Sequence, residues 1–424
     1  MIKRINSLFI VTISIILINL FIVLLILKGD NMNDITILEK KRDFTKSVTI
    51  YIMVKGGIFT ENEANNGIGN LFSRVWVKSN KILESSEFYG GSIFAKITPY
   101  ALEISLSIPT EFINDVLPDF IQFITSPLFQ EDIFKREQKF HLEELNIALD
   151  NPNTQAYINY NKLAYDGSPY ALPIDGTIDS VSSLTLQDVE QYYRDNMKSS
   201  NMVISIAGNY DDNLVKEITQ MAQKLDKGNK FSYNCKNTQL LSDRRQSDID
   251  TRIQQAKLFI GYDASPVNSK DYVALKVLTE LLGGGMSSRY FLEIRKNSGY
   301  AYAVNATYPS RHCSSRFTVS IGLDYENIDS AIQKIDDINL NLKNTITDQE
   351  IEKAKNAIYG STLMETQTNS SIAWNRAFFE VMGLGADYYE TYLETLESVT
   401  KEQILEASEI FKGYKAIYIL RPAE

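Results

Sequence analysis

The chain has 424 residues, of which 44% are hydrophobic, and a formal net charge of −10 with a pI of about 5.0. That length is sufficient for two domains of about 150–200 residues, each with its own hydrophobic core. Because the chain has no excess of basic residues to neutralise phosphates, the charge argues against nucleic acid as a partner.

The first predicted element is an apolar segment near the N-terminus. Residues 5–27 carry no charge, and most of them are Ile, Leu, Val or Phe. A helix of this length crosses a hydrocarbon core about 30 Å thick. Lys3 and Arg4 precede the segment and favour a cytoplasmic N-terminus, whereas the basic cluster at 40–42 weakens that orientation.

A cleavable signal peptide is the alternative interpretation of the same segment. Its apolar part would be shorter, and no A-x-A-like cleavage site follows Leu27. We therefore predict a transmembrane signal anchor over residues 1–30 and a polar stalk over 31–45. The rest of the chain would lie on the outer side of the cytoplasmic membrane.

Strands and helices then alternate along the chain. Residues 48–54 (VTIYIMV) predict a strand. Apolar residues at i, i+3, i+4 and i+7 predict a helix over 67–78. Further strands are predicted at 92–95, 101–108 and 202–207, and further helices at 111–124, 131–149 and 183–196.

Much of this pattern returns in the second half. Residues 183–189 match 398–404 at an offset of 215, and the strands around Ile204 and Ile419 match at the same offset. The repetition indicates an internal duplication of one α+β unit. The predicted fold class is α+β, with two duplicated domains that each contain a mainly antiparallel sheet packed with helices. The predicted boundaries are 46–225 for the first domain, 226–250 for a polar linker and 251–424 for the second domain.

Two cysteines, Cys235 and Cys313, are present in the chain. An exported protein can form a disulfide between them, and two unpaired thiols are equally compatible with the sequence.

The helix over 67–78 (GIGNLFSRVWVK) resembles the zinc helix of the M16 (pitrilysin/insulinase) peptidase family, G-x-x-H-x-x-E-H-x-x-x-K. Residues 283–304 (GGGMSSRYFLEIRKNSGYAYAV) resemble the signature of the family's C-terminal domain and are the most specific match. Segments 87–95 and 168–176 resemble two further family motifs. The resemblance covers roughly 45–424 and implies the short, two-domain, processing-peptidase-like type.

The zinc helix departs from the family pattern at each chemical position. Asn70, Ser73 and Arg74 stand where active members have His, Glu and His. An amide, a hydroxyl and a guanidinium neither bind Zn²⁺ as imidazoles do nor take a proton from zinc-bound water. Glu137 and Glu144 match the family's acidic pair, and Glu144 falls at the third zinc ligand. One carboxylate is insufficient, so we predict no metal on this chain.

Two hypotheses concern the groups around this degenerate zinc site. Arg74 either is a solvated surface residue or occupies the vacant zinc position and pairs with Glu144 or Glu137, because buried carboxylates need a cation. Glu137, His141 and Glu144 share one helical stripe. A new metal site there is disfavoured, since one straight helix rarely surrounds an ion.

The resemblance also implies a function for the second half. Arg295 and Tyr302 match an Arg/Tyr pair that holds the peptide and stabilises the oxyanion in active members. Some two-subunit members divide the zinc motif and this pair between two chains. The sequence thus predicts the non-zinc subunit of a heterodimeric zinc endopeptidase, with Zn²⁺ on an H-x-x-E-H partner. The alternative is an inactive pseudopeptidase that binds peptides or scaffolds an envelope complex.

Overall fold

The computed structural model describes residues 35–423, so the predicted transmembrane anchor at 1–30 lies outside the described residues. In the part of the chain that is described, no helix is both long enough and apolar enough to cross a membrane.

Two five-stranded sheets organise the described chain. In the first sheet the strands run in the order β1-β5-β2-β4-β3, with β1 parallel to β5 and the other pairs antiparallel. Its strands are β1 (Thr36–Lys41), β2 (Ser47–Lys55), β3 (Ser92–Ile97), β4 (Ala101–Pro109) and β5 (Met202–Gly208). The strands predicted at 48–54, 101–108 and 202–207 are confirmed.

The second sheet repeats this topology. Its order is β6-β10-β7-β9-β8, and β6 is parallel to β10 while the other pairs are antiparallel. Its strands are β6 (Arg244–Ile249), β7 (Ala256–Ala264), β8 (Ala301–Thr307), β9 (Ser315–Leu323) and β10 (Lys415–Arg421). The equivalent strand orders confirm the α+β duplication that the sequence predicts.

Helices cover both sheets. The first half contains α1 (Ile68–Lys78), α2 (Ile82–Phe88), α3 (Ile113–Thr125), α4 (Glu131–Asp150), α5 (Pro152–Ala164), α6 (Ile178–Ser183), α7 (Leu186–Asn196) and α8 (Asp212–Gln223). The second half contains α9 (Tyr272–Gly283), α10 (Ile328–Leu340), α11 (Leu342–Thr345), α12 (Asp348–Glu365), α13 (Asn369–Val381), α14 (Tyr388–Ser398) and α15 (Lys401–Ala407). A short π-helix, Phe291–Asn297, precedes β8.

Two polar segments form strands that the sequence analysis missed. The predicted stalk at 31–45 contains β1, and the predicted linker at 226–250 contains β6. Both strands lie at the edge of a sheet and pair in parallel with one neighbour. Backbone hydrogen bonds hold such a strand while its side chains remain partly exposed, so its sequence need not alternate between apolar and polar residues.

The two halves exchange one helix each. α5, from the first half, packs on β10, β7 and β6, whereas α13, from the second half, packs on β2, β5 and β1. Strand β2 is consequently buried on both faces. Ile50 and Ile52 belong to the core that includes α1, and the alternate residues Tyr51 and Met53 belong to the core that includes α13. The hydrophobic cores therefore depend on both halves of the chain.

A disulfide joins Cys235 to Cys313, with 5.3 Å between their Cα atoms. Cys235 lies in the segment between the two sheets, and Cys313 is buried in the loop between β8 and β9. Of the two states that the sequence allows for these cysteines, the structure contains the paired one.

Candidate functional site

The degenerate zinc helix is α1, and its first turn is held by a buried carboxylate. Glu61 accepts hydrogen bonds from the backbone N–H groups of Gly67 (2.8 Å) and Gly69 (3.1 Å). Burial raises the pKa of Glu61 to about 7. Gly67 has φ +90°, and a Cβ there would come within 2.8 Å of the carbonyl oxygen of Asp175. The glycine of the motif is therefore required by the backbone and does not depend on metal chemistry.

The three residues in place of His, Glu and His bond to their neighbours. Ser73 is buried, and its Oγ donates to the carbonyl oxygen of Gly69 at 2.7 Å. Asn70 donates through Nδ2 to Asp175 Oδ1 at 2.6 Å, and its Oδ1 accepts from Arg74 Nε at 2.7 Å. These contacts connect α1 to the loop that carries Asp175.

The two carboxylates of α4 are each paired with a cation from α1. Arg74 Nη2 pairs with Glu144, and Lys78 Nζ pairs with Glu137 Oε2 at 2.6 Å. Arg136 Nε adds a second contact to Glu137 at 3.2 Å. Glu137 is fully buried, whereas the side chain of Glu144 is 58% exposed. The hydrogen bond from Arg74 lowers the pKa of Glu144. Charge compensation at this site therefore comes from side chains of the chain itself.

His141 lies on α4 between these carboxylates. It is buried, and its ring lies beside the backbone of Asp175 without making a well-aligned hydrogen bond to any of residues 35–423. Burial lowers its pKa, and so does the nearby charge of Arg74, which keeps the imidazole neutral at pH 7.

The donor set does not fit zinc. A stable site normally needs three protein ligands of suitable chemistry, and α1 supplies an amide, a hydroxyl and a guanidinium. Across the described residues, no cluster of three His, Cys, Asp or Glu side chains is arranged to hold a metal ion.

Tyr302 stands at a β-bulge in the edge strand β8. Ala301 pairs with Leu323 and Ala303 pairs with Gly322, so Tyr302 is the extra residue between two paired ones. A bulge of this kind redirects a side chain. Tyr302 is 51% exposed, and its hydroxyl donates to Asp324 at 2.9 and 3.0 Å. The hydrogen bond to Asp324 raises the pKa of Tyr302, so the phenol stays protonated and remains a donor.

Arg295 lies in the π-helix that precedes β8. Its side chain is exposed, and the guanidinium stacks on the ring of Phe291 at 4.8 Å. It makes no ion pair with any described residue, and no hydrogen bond or ion pair in residues 35–423 joins Arg295 or Tyr302 to Arg74 or Glu144. The degenerate zinc site and the Arg295/Tyr302 pair are therefore not connected by a hydrogen bond or an ion pair between these described residues.

The role of Asp175 in this site was not predicted from the sequence. Segment 168–176 resembles a family motif, but no contact was expected of its aspartate, and Asp175 accepts a hydrogen bond from Asn70. The resemblance of this loop to a family motif could have indicated that it contacts the zinc helix, as Asp175 does through Asn70.

Two family models match this chain. The model described as "Insulinase (Peptidase family M16)" matches residues 36–178, and that described as "Peptidase M16 inactive domain" matches residues 183–358. The chain belongs to peptidase family M16. With the degenerate donor set, these matches support an M16 member of the inactive type.

Three relatives align over more than half of the chain. "Uncharacterized zinc protease YmxG" of Bacillus subtilis is 26% identical, covering 81% of this chain and 85% of the relative. "Probable inactive metalloprotease YmfF" of the same organism is 23% identical, covering 76% and 80%. "Cytochrome b-c1 complex subunit 1, mitochondrial" of Saccharomyces cerevisiae is 24% identical, covering 59% and 55%.

Solved structures show the same M16 fold. The M16 inactive domain from Pseudomonas fluorescens superposes with a TM-score of 0.81 at 19% identity, covering 92% of this chain and 96% of that chain. A protease from Helicobacter pylori gives a TM-score of 0.82 at 18% identity, covering 92% and 98%. The predicted family and its two sheet-plus-helix domains are confirmed.

Proposed function

We propose that this chain is the non-zinc subunit of an M16-type heterodimeric zinc endopeptidase that acts on peptides. It contributes Arg295 and Tyr302, and an H-x-x-E-H partner contributes the zinc. The observation that carries the proposal is the contrast between the two sites. At the positions that match the family's zinc ligands, Arg74 pairs with Glu144 and Asn70 donates to Asp175, while Tyr302 is turned outward at a bulge with its proton retained.

The chemistry of Arg295 and Tyr302 suits a developing oxyanion. A phenolic O–H and a guanidinium are both donors, and donors already in place stabilise negative charge without reorganisation. Tyr302 would exchange its bond to Asp324 for one to the substrate, and Arg295 has no ion pair to break among the described residues. Zinc on the partner would supply the activated water.

Edge strands offer a way to hold the peptide. β3 lies at the edge of the first sheet and packs against α1, and β8, which carries Tyr302, lies at the edge of the second. An extended peptide can add to a free edge through backbone hydrogen bonds. This mode of binding orients the scissile bond without requiring a particular side chain.

A membrane anchor at 5–27 completes the proposal. It would tether the subunit with its body outside the cytoplasm. The disulfide between Cys235 and Cys313 supports this location, because such bonds persist in oxidising compartments.

The alternative is a pseudopeptidase that binds peptides or scaffolds an envelope complex without turnover. The Tyr302–Asp324 hydrogen bond favours it, since the hydroxyl already has a partner. Two relatives, one named as a probable inactive metalloprotease and one as a subunit of the cytochrome b-c1 complex, also support this alternative.

The test is a Tyr302→Phe substitution in a pair reconstituted with an H-x-x-E-H homologue from the same genome. Loss of one oxyanion donor typically lowers kcat by about 10²–10³. We expect such a loss with little change in KM, measured by cleavage of a fluorogenic peptide. Tyr325→Phe is the matched control, because it also removes a hydroxyl from a part-exposed tyrosine and should leave kcat unchanged.

An unchanged kcat in Tyr302→Phe would contradict the catalytic role. A wild-type pair that binds the peptide without cleaving it would instead support the pseudopeptidase.

A further inference from the structure

We propose that a cavity in the first half of the chain binds an amphipathic carboxylate, a ligand with one carboxylate on an apolar body, and that Arg311, which reaches the cavity from the second half, is its anchor. The cavity has a volume of about 620 Å³. It lies between the end of α4, helix α5 and the loop before α6, and Arg311 enters its lining from the second half. This proposal does not depend on a zinc-carrying partner.

The walls of the cavity are mainly apolar. Leu145, Leu149 and Ile158 contribute to them from α4 and α5, and Leu172 contributes from the loop. A volume of this size falls within the range of about 300–1,000 Å³ that is typical of ligand sites, which are usually apolar with a few polar groups. The walls therefore suit the hydrocarbon part of a ligand.

Arg311 is the polar group that distinguishes this cavity. Only 8% of the residue is exposed. Its guanidinium carbon lies 4.8 Å from the ring centre of Tyr165 and 4.2 Å from that of Tyr170. Within residues 35–423 its side chain has no ion pair and donates no hydrogen bond, and Nε is buried without a partner.

A neighbouring arginine in the same surroundings has the ion pair that Arg311 lacks, although its Nε, like that of Arg311, is buried without a partner among the described residues. Arg316 stacks on Tyr165 at 4.3 Å, pairs with Asp263 and donates to the carbonyl oxygen of Ala164 at 2.6 Å. Arg311 has the ring contacts and lacks the anion. Because a buried unpaired charge is costly, the free energy gained by binding an anion there is correspondingly large.

A carboxylate is the anion that fits this guanidinium best. The two oxygens of a carboxylate match the fork of N–H donors on an arginine. The other charged residues on the lining are Lys162, Asp175 and Asp179, and both aspartates are exposed. Their charges are therefore screened by water, and Arg311 sets the preference for one negative group.

Two sources provide such a ligand, a fatty acid and a short apolar peptide with a free C-terminus. Both combine a carboxylate with an apolar body. The cavity borders the degenerate zinc site, since Asp175 lines it and Leu145 follows Glu144 in α4. A ligand from either source would occupy a place beside that site.

The test is calorimetric titration of the full-length chain in lipid nanodiscs, with empty nanodiscs subtracted. The probes are decanoate and decan-1-ol, and the tripeptide Leu-Leu-Phe with a free or an amidated C-terminus. We expect at least one acid to bind at least tenfold more tightly than its neutral counterpart, because charge-assisted hydrogen bonds are the stronger ones. Decanoate alone would indicate a fatty acid, and the free tripeptide alone would indicate a peptide C-terminus.

Variants assign the binding to Arg311. Arg311→Met should weaken binding of the acid at least tenfold without lowering the thermal midpoint of the free protein, because it removes a buried unpaired charge. Arg245→Met is the control, since that arginine is exposed on β6 and should leave binding unchanged. Ala148→Phe should abolish binding by filling the cavity while Arg311 stays intact.

The proposal is overturned if neither acid binds, if acid and neutral analogues bind equally, or if Arg311→Met binds the acid as wild type does. Should Arg311→Met fail to fold, Ala148→Phe decides, and undiminished binding in that variant also overturns the proposal.

Discussion

Two cations on α1, Arg74 and Lys78, pair with two carboxylates on α4, Glu144 and Glu137. The pairs differ in their exposure to solvent, because Glu137 is fully buried and Glu144 is largely exposed. A buried ion pair is strongly destabilising to break, whereas an exposed one contributes little. The Lys78–Glu137 pair therefore holds the helices together, and the Arg74–Glu144 pair mainly balances charge.

Substitution of the two cations should separate these roles. Lys78→Met would leave buried Glu137 with Arg136 alone, and we expect it to lower the free energy of unfolding by about 2–4 kcal/mol. Arg74→Met would leave an exposed carboxylate, and we expect a loss below about 1 kcal/mol. Urea unfolding followed by circular dichroism measures both. Equal losses in the two variants would show that burial does not govern these pairs.

At this scale the sequence predicted part of the degenerate zinc site. It supplied two hypotheses for Arg74, and the pair with Glu144 is the one found. The Lys78–Glu137 pair was not predicted, although both residues had been noted as matches to the family. Residue spacing shows which side chains share a helix face, but it does not show which residues of another helix they reach.

Among the elements, the bulge in β8 positions Tyr302, and the segment before β6 carries the disulfide-bonded Cys235. The bulge was invisible in the sequence because Tyr302 fits an ordinary strand pattern. Strands β1 and β6 were missed because their polar residues resemble a stalk and a linker. Apolar helices and central strands were predictable, since burial imposes a clear pattern on them.

The disulfide fixes the segment between the sheets to the second domain. Cys235 and Cys313 are 78 residues apart, so the bond closes a long loop. Loss of a disulfide from a loop of that length costs roughly 2–5 kcal/mol. We expect Cys235→Ser to show a loss of this size in denaturant unfolding without reductant. Reductant should lower the stability of wild type and leave the variant unchanged, and a variant as stable as oxidised wild type would contradict the account.

For the whole molecule, the exchange of α5 and α13 makes each half dependent on the other. The duplication was readable from an offset of 215 residues, but the exchange was not, because a repeat gives no information on which copy a helix packs against. Without α13, the face of β2 that carries Tyr51 and Met53 would be open to water.

Separate halves should therefore fail to fold. We expect residues 35–225 and 226–424, expressed alone, to show poor dispersion of amide signals in NMR spectra and to bind a hydrophobic dye. Co-expression should restore a complex with dispersed signals, because each half then receives its missing helix. A half that unfolds cooperatively on its own would contradict the interdependence.

Purification from native membranes tests whether this chain forms a complex with a second M16 chain. The protein would be extracted in mild detergent through an affinity tag, and what accompanies it would be identified by mass spectrometry. We expect a stoichiometric homologue that contains H-x-x-E-H. Recovery of the chain alone, or only with unrelated envelope proteins, would contradict the split peptidase and favour the pseudopeptidase.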